Sequence, residues 1–470
     1  MSYLLDLIRT FTAGEKQEFS RMDLIGKEEM IRDFYLKYAH LPKFDEGTLA
    51  QKASISPQHL LKINSVLLDK TLTAFYGLDH SKVMSEILSK GLSALMLHEL
   101  KIREKAFVET ADKANMVSFY RAAFDVLRSM FHPDYDSART HKFGKKYLQA
   151  LGDKATITDE VYVNIMALHG DIIAAAYSGK EQTFKPKAEK LLDVWEQKIM
   201  HISSPAATFY ISLTRATYYK HLTDDSVGFL ASHERALAAW VSSKGTIDKK
   251  FEAIVLCELG LGNIFLENFA RAQDYYTAAF DKFPDTIGKS IYHSGNFFHV
   301  ALLNNNAKLA NRIFDQYLKP KIQPSTNRSV LFDIYMLAIW SHIQQQQFTE
   351  AYEYLKLLKQ YRKNDITLLG HAMLRQVESA FFYFSGDTSS ASITIGKNLR
   401  FVKKIHHQSS SFHYYLVYLD ALDKLIKMEQ GTLRQPDKLK AQILALPGGI
   451  YQNYNRPLLQ RFEGLAGADA

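Results

Sequence analysis

Two groups of histidine and aspartate side chains contain residue types that can bind metal ions. The first group is His406, His407 and His413. The second group is His132, Asp134, Asp136 and His141. The first has no Cys, Asp or Glu between its histidines, and the second has neither the dense oxygen set that calcium prefers nor the regular spacing typical of zinc. We therefore predict solvated histidines beside a turn, a helix cap at Asp134 or Asp136, and no metal site.

The single cysteine and the glycine pairs also lack the context of a catalytic or phosphate-binding site. Cys257 has Leu256 and Glu258 as neighbours, which do not favour a thiolate, so we expect it to pack in a core. Gly260 and Gly262 lie in a helical pattern rather than after a strand, which excludes a dinucleotide-binding loop. The nucleophile elbow, HExxH and kinase motifs are absent from the sequence. The sequence predicts a protein without catalytic residues or cofactors; an enzyme whose site is assembled from distant segments is a second alternative.

The segment 251–285 contains two helix-length apolar patterns separated by a short polar break. Its sequence is FEAIVLCELGLGNIFLENFARAQDYYTAAFDKFPD. The first pattern carries Gly260, the second carries Ala272 and Tyr276, and Pro284 ends the second because proline has no amide donor. This arrangement resembles a tetratricopeptide (TPR) repeat, although Tyr276 stands where the family prefers phenylalanine. The resemblance implies two antiparallel helices that approach closely at Gly260 and Ala272.

Three further segments repeat this spacing. After Ala272-x3-Tyr276, at intervals of 38, 41 and 40 residues, come Ala310-x3-Phe314, Ala351-x3-Leu355 and Ala391-x3-Ile395. A single helix pair leaves an apolar face uncovered, so copies in register predict stacking. The intervals exceed the family's usual length of about 34 residues, which indicates an irregular array. The predicted fold class is all-α: a TPR-like right-handed α-solenoid of antiparallel helix pairs, preceded by a small helical module.

The pattern divides the chain into three parts. We predict an N-terminal helical module over 1–77, a TPR-like array over 78–450 and a C-terminal tail over 451–470. The chain resembles uncharacterised bacterial proteins that have a helical module and degenerate TPR-like repeats. The resemblance rests on the N-terminal stretch LLDLIRTFTAGEKQEF and on the array. That resemblance implies a scaffold role in the cytoplasm and no reaction.

One segment of the module, 48–68, is similar to a helix-turn-helix. Ser54 stands where such turns commonly have glycine, and the presumed reading helix offers chiefly Lys62 and Lys70 as cations. Residues 1–76 hold ten Lys and Arg against ten Asp and Glu, whereas nonspecific DNA affinity comes mainly from phosphate neutralisation. A helical cap for the array is favoured, and a TPR-containing regulator whose module binds DNA is the first alternative.

The composition is that of a chain with a large apolar core. Hydrophobic residues make up 47% of the sequence, too many for general disorder. The net charge of +8 is concentrated in 397–440, where a solvated helix face is favoured and nucleic-acid binding is the alternative. No signal-peptide pattern or apolar run of ~18 residues is present, and a single cysteine cannot form an internal disulfide. We predict a cytoplasmic protein without a membrane span.

The predicted function is that of a non-enzymatic scaffold that binds a protein or peptide along the concave face of the array. In a TPR-like stack, the first helix of each pair lines this face. The packing register places on it Tyr292, Asn296, His299, Asp333, Met336, Trp340, Gln376 and Tyr383. Tyrosine and tryptophan are frequent interface hot spots, whereas packing of Trp340 and Tyr383 between neighbouring repeats is the alternative. Homo-oligomerisation is also compatible with such a surface.

Overall fold

The computed structural model describes most of the chain. The described residues are 3–40, 46–77, 79–90, 92–110, 113–130, 134–322, 328–361, 366–406, 411–433, 435–446 and 452–468. No residue in these ranges belongs to a β-strand, which confirms the all-α prediction. The chain divides into two compact units, Met1–Asp225 and Ser226–Ala470. The module boundary expected after residue 77 stays a prediction.

Unit 1 is helical throughout the part that the structure describes. Its helices are α1 (Tyr3–Arg9), α2 (Ala13–Ser20), α3 (Lys27–Tyr38), α4 (Glu46–Lys52), α5 (Pro57–Tyr76), α6 (His80–Ser89), α7 (Ser93–Thr110), α8 (Lys113–Arg128), α9 (Ser137–Leu151), α10 (Ile157–Tyr177), α11 (Glu181–Ile199) and α12 (Pro205–Tyr218). A 3-10 turn, Gly152–Lys154, follows α9, and a π-helical turn, Tyr219–Thr223, follows α12. Helix α8 packs on α9, and α10 packs on both α11 and α12.

Unit 2 contains the remaining helices. They are α13 (Ser226–Ser242), α14 (Lys249–Phe265), α15 (Phe269–Lys282), α16 (Pro284–Ile287), α17 (Ile291–Leu303), α18 (Ala307–Ile313), α19 (Arg328–Gln344), α20 (Phe348–Leu358), α21 (Leu368–Phe384), α22 (Thr388–Ile405), α23 (Ser411–Glu429), α24 (Pro436–Leu444) and α25 (Gln452–Ala468). A π-helical turn, Phe314–Leu318, and a 3-10 turn, Lys319–Lys321, follow α18. Most of the range expected to be a C-terminal tail is therefore helix α25.

Successive helix pairs build unit 2. The two helices of each pair, α14/α15, α17/α18, α19/α20, α21/α22 and α23/α24, are in direct contact, and their short connections make them antiparallel. The first helices also contact one another in the order α14, α17, α19, α21 and α23. We call these five helices the first-helix row. The row is therefore one uninterrupted series of contacting helices.

Four helices of the row end in the same way. Left-handed residues follow them, with φ of 60°, 59°, 58° and 83° at Glu267, Asn305, Gln346 and Gly386. In the first three, the next amide donates to the carbonyl five residues back at 2.8 Å, which satisfies a carbonyl that the helix end leaves unpaired. Five residues after each left-handed residue comes a fully buried alanine: Ala272, Ala310, Ala351 and Ala391. The spacing predicted from sequence thus corresponds to a repeated local structure.

The first pair is close-packed where the sequence predicts it. A Cβ atom added at Gly260 of α14 would lie 2.6 Å from the Tyr276 ring of α15, a distance at which neighbouring atoms must move. Tyr276 itself is fully buried. A small residue at Gly260 is therefore what allows this ring to fill the space between the two helices.

Helix starts follow the capping residues of the sequence. The Glu15 amide donates to Thr12 Oγ1 at 3.2 Å, and the Thr12 amide donates to Glu15 Oε2 at 2.8 Å, which together form a capping box at the start of α2. Ser56 Oγ accepts from the His59 amide at 3.2 Å, with Pro57 as the first helical residue of α5. Proline suits that position because the first-turn amides have no partner within the helix.

Candidate functional site

The histidine–aspartate groups make local structural contacts. Asp136 caps α9 by accepting the Arg139 amide at 3.0 Å, which confirms the predicted cap. Asp134 accepts the Ser93 hydroxyl at 2.7 Å, and His406 Nδ1 lies 2.7 Å from the Lys403 carbonyl oxygen. Across the described residues, no three His, Cys, Asp or Glu side chains are grouped to hold a metal ion. His132 and His407 lie outside these ranges.

A hydrogen-bonded group that sequence reasoning missed centres on Asp171 in α10. His141 Nε2 lies 2.9 Å from one carboxylate oxygen, and the Tyr135 hydroxyl donates to the other at 2.8 Å. Burial raises the pKa of Asp171, but hydrogen bonds from His141 and Ser137 outweigh burial, so the net pKa is lowered. Asp171 on α10 thus accepts hydrogen bonds from both Ser137 and His141 on α9. These contacts join the two helices, whereas a catalytic triad would align the serine with the histidine base.

Cys257 is in the core of α14, as predicted. It is fully buried, and burial, with the Glu258 carboxylate, raises the pKa of its thiol above the ordinary value. Because the thiolate is the reactive form, a disulfide reagent at pH 8 should modify Cys257 at least about 100-fold more slowly in the folded protein than in guanidinium. Absorbance of the released thiolate measures both rates. Equal rates would show that Cys257 is accessible.

One feature of the helix-turn-helix-like segment favours the hypothesis that it binds DNA, and another weakens that hypothesis. Ser54, between α4 and α5, has φ of 50°, the left-handed conformation that glycine usually supplies in such turns. On α5, however, Leu61 is 60% exposed beside the exposed Lys62, and Lys70 is paired with Glu28 at 2.7 Å. The outward face of α5 therefore carries little positive charge for phosphates.

Two of the predicted partner-binding residues occupy corresponding positions on neighbouring helices of the first-helix row. Tyr292 on α17 and Asp333 on α19 each lie 18 residues before the buried alanine of their pair, as do Ile254 and Met373. Tyr292 is 50% exposed and Asp333 is also exposed, whereas Ile254 and Met373 are half-buried. We call these four residues the accessible line. Asn296 and His299, farther along α17, are half-buried.

Asp333 combines solvent exposure with partial desolvation of its carboxylate. Its side chain is solvent-accessible, yet desolvation by the surrounding protein raises its pKa above the ordinary value. Such a carboxylate gains more from a cationic partner than a fully solvated one does, because the local dielectric is lower.

The other four predicted residues are buried. Met336, Trp340, Gln376 and Tyr383 belong to the interior of unit 2. Gln376 donates to the Tyr414 hydroxyl at 2.9 Å, and the Tyr383 hydroxyl donates to Glu429 at 2.9 Å. Their contribution to partner binding stays a prediction. Their contacts in the structure are packing contacts between helices, which is the alternative to partner binding that the sequence predicts for Trp340 and Tyr383.

The chain's own C-terminal helix covers part of the row. Tyr454 of α25 lies with its ring centroid 4.7 Å from that of Trp340 and 6.4 Å from that of His299. Sequence reasoning missed five of the residues through which α25 contacts the rest of unit 2: Tyr454, Arg456, Leu458, Arg461 and Phe462. The signal was the spacing of Tyr454, Leu458 and Phe462 at intervals of four residues, which predicts one face of a helix.

A cleft of about 590 Å³ lies where α25 meets the ends of the row. The left-handed turn residues Asn305, Gln346 and Gly386 line one side, and Arg456 and Arg461 line the other. Arg456 Nη2 lies 3.4 Å from the Leu303 carbonyl oxygen at the end of α17. A cation suits this place because carbonyl groups at a helix C-terminus carry partial negative charge.

Comparisons with known proteins do not indicate a function, so the function is inferred from the first-helix row. No protein-family model matches the chain, and no curated protein is significantly similar to it. Within the described residues, no helix has the length and hydrophobicity that crossing a membrane requires.

Proposed function

We propose that this protein is a non-enzymatic scaffold that binds a protein or peptide on the concave face of a TPR-like, right-handed solenoid of helix pairs. The observation that carries the proposal is the first-helix row, in which α14, α17, α19, α21 and α23 contact one another in sequence order. Repetition of one pair type produces an extended surface, and repeat proteins use such surfaces for binding.

The chemistry of the accessible line supports a protein partner. Tyr292 offers a large amphipathic side chain that loses little conformational entropy on binding, a property of interface hot spots. Asp333, on the neighbouring helix, offers a partly desolvated carboxylate. A partner that places an apolar group against Tyr292 and a lysine or arginine against Asp333 would satisfy both.

The first test uses a photo-crosslinking amino acid at position 292 in the full-length protein, exposed to native lysate of the source cells. A matched control carries the same amino acid at position 177, because Tyr177 is also exposed but lies in unit 1. We expect a discrete adduct from position 292 that is absent from position 177 and disappears when Asp333→Ala is added. Identical adduct patterns from both positions would contradict the proposal.

We propose a TPR-containing regulator whose N-terminal module binds DNA as the second candidate, because Ser54, between α4 and α5, has the left-handed conformation that glycine usually supplies in a helix-turn-helix. The test is a gel shift of the full-length protein with a short random-sequence duplex. Phosphate contacts would make the affinity fall steeply as salt rises. No shift at low salt would remove this candidate.

A further inference from the structure

We infer that α25 is an intramolecular ligand of the first-helix row, and that the partner of the row is an amphipathic helix which takes the place of α25. The inference rests on the proposed function and names the class of ligand. The ligand helix presents an aromatic residue, then aliphatic or aromatic residues four and eight positions later, and carries arginines two and seven positions after the first aromatic residue. Four observations carry this inference.

The first observation is how far α25 extends along the row. A helix that only covered the end of the array would contact α23 and α24. Helix α25 contacts both, and it also contacts α17 and α19, which belong to earlier pairs. It therefore lies across several first helices, as a helical peptide lies in a groove.

The second observation is the apolar face of α25. Leu458 is fully buried and Phe462 almost so, and the two stand one helical turn apart. Leu459 and Leu465 are half-buried against the same core. With Tyr454 against Trp340, these side chains form the spacing of anchors by which an amphipathic helix docks into a hydrophobic groove.

The third observation is that polar contacts fix the position of the helix. Arg456 contacts Asn305 and the Leu303 carbonyl at the end of α17. Arg461 donates from Nε and Nη2 to Glu429 Oε1, at 2.9 and 2.6 Å. The row therefore contacts two arginines that are five residues apart, in addition to the apolar face of α25. Together these contacts set the direction and the register in which the helix binds.

The fourth observation is the match between α25 and the expected partner surface. Two of the residues that the repeat register places on the partner-binding face, His299 and Trp340, are the residues that Tyr454 contacts. Two residues of the accessible line, Tyr292 and Asp333, lie at other turns of the same helices, α17 and α19. A partner can thus engage the accessible line first and then replace α25 on the rest of the row.

The test uses full-length protein and a fluorescent peptide with the sequence of residues 452–468 as the probe. Leu458→Asp combined with Phe462→Asp places two carboxylates on the apolar face and releases α25, because an unpaired charge is costly to bury. We expect this variant to bind the peptide saturably by fluorescence anisotropy, and the parent to bind it at least about tenfold more weakly, since α25 occupies the site. A peptide with Leu458 and Phe462 both replaced by aspartate is the control and should not bind.

A folded double variant that does not bind the native peptide overturns the inference. If circular dichroism shows that the variant is unfolded, hydrogen exchange in the parent decides. Amides of α25 should then exchange at least about tenfold faster than those of α19 and α23, because a displaceable helix opens without global unfolding. Equal protection of α25 and α23 would make α25 a fixed core helix and would also overturn the inference.

The outcomes separate this inference from the function on which it rests. If position 292 captures a partner but the released variant ignores the peptide, the helix-ligand inference fails and the scaffold proposal stands. If the peptide binds but position 292 captures nothing, α25 stands as an intramolecular ligand of the row, while the scaffold proposal and the helical partner that rests on it both fail.

Discussion

Replacing Ala272 by glutamate is expected to lower the free energy of unfolding by more than about 3 kcal/mol. Ala272 is fully buried on α15, one helical turn from Tyr276, which fills the space beside Gly260. A glutamate there must either bury an unpaired carboxylate or push the two helices apart. Either outcome disrupts the first pair of the series and removes support from its neighbour α17.

Ala278→Glu is the matched control for this substitution. Ala278 lies on the same helix but is exposed, so the same change of residue type should alter stability by no more than about 0.5 kcal/mol. Guanidinium unfolding followed by circular dichroism, with hydrogen exchange of α14 and α15 to localise the effect, measures both variants. Equal stabilities of the two variants would show that the alanine register does not mark the helix crossing.

Replacing Trp340 by alanine is expected to lower the free energy of unfolding by about 3–5 kcal/mol, the range for large buried aromatic residues. Trp340 is 1% exposed, and its ring contacts those of Tyr454 and Tyr418. Truncation removes the ring contacts that Trp340 makes with α23 and α25 and leaves a cavity that these helices only partly fill. Denaturant unfolding measures the loss, and amides of α25 should exchange faster than in the parent.

Trp340→Phe is the control, because it keeps an aromatic ring and should retain a large part of the stability. The same pair of variants tests the packing role of Trp340, because a residue that packs between helices changes stability when truncated. A loss of less than about 1 kcal/mol for Trp340→Ala would contradict the packing role.

Local features of the fold were predictable because they depend on neighbours in sequence. The Thr12–Glu15 capping box and the cap at Asp136 involve residues three positions apart. The buried alanines repeat because each follows its left-handed turn at a fixed distance. Such short-range patterns give the helix pairs and their order without information about distant contacts.

The candidate site was only partly predictable because its cover comes from a distant part of the chain. The repeat register places Trp340 on the first-helix row, but its burial depends in part on Tyr454, which lies 114 residues later. Pro457 disfavours a helix over that segment, since proline removes an amide donor from a helix interior. Tertiary packing of Leu458 and Phe462 outweighs that cost, and helix α25 forms.

The central claim is that the first-helix row binds a protein through its accessible line. The most direct test is the affinity of the captured partner for four full-length proteins: parent, Tyr292→Ala, Asp333→Ala and the exposed control Tyr177→Ala. The account predicts that Tyr292→Ala and Asp333→Ala each weaken binding by at least about tenfold, while Tyr177→Ala leaves the Kd unchanged. Unchanged affinity in both row variants, with all four proteins folded, would contradict it.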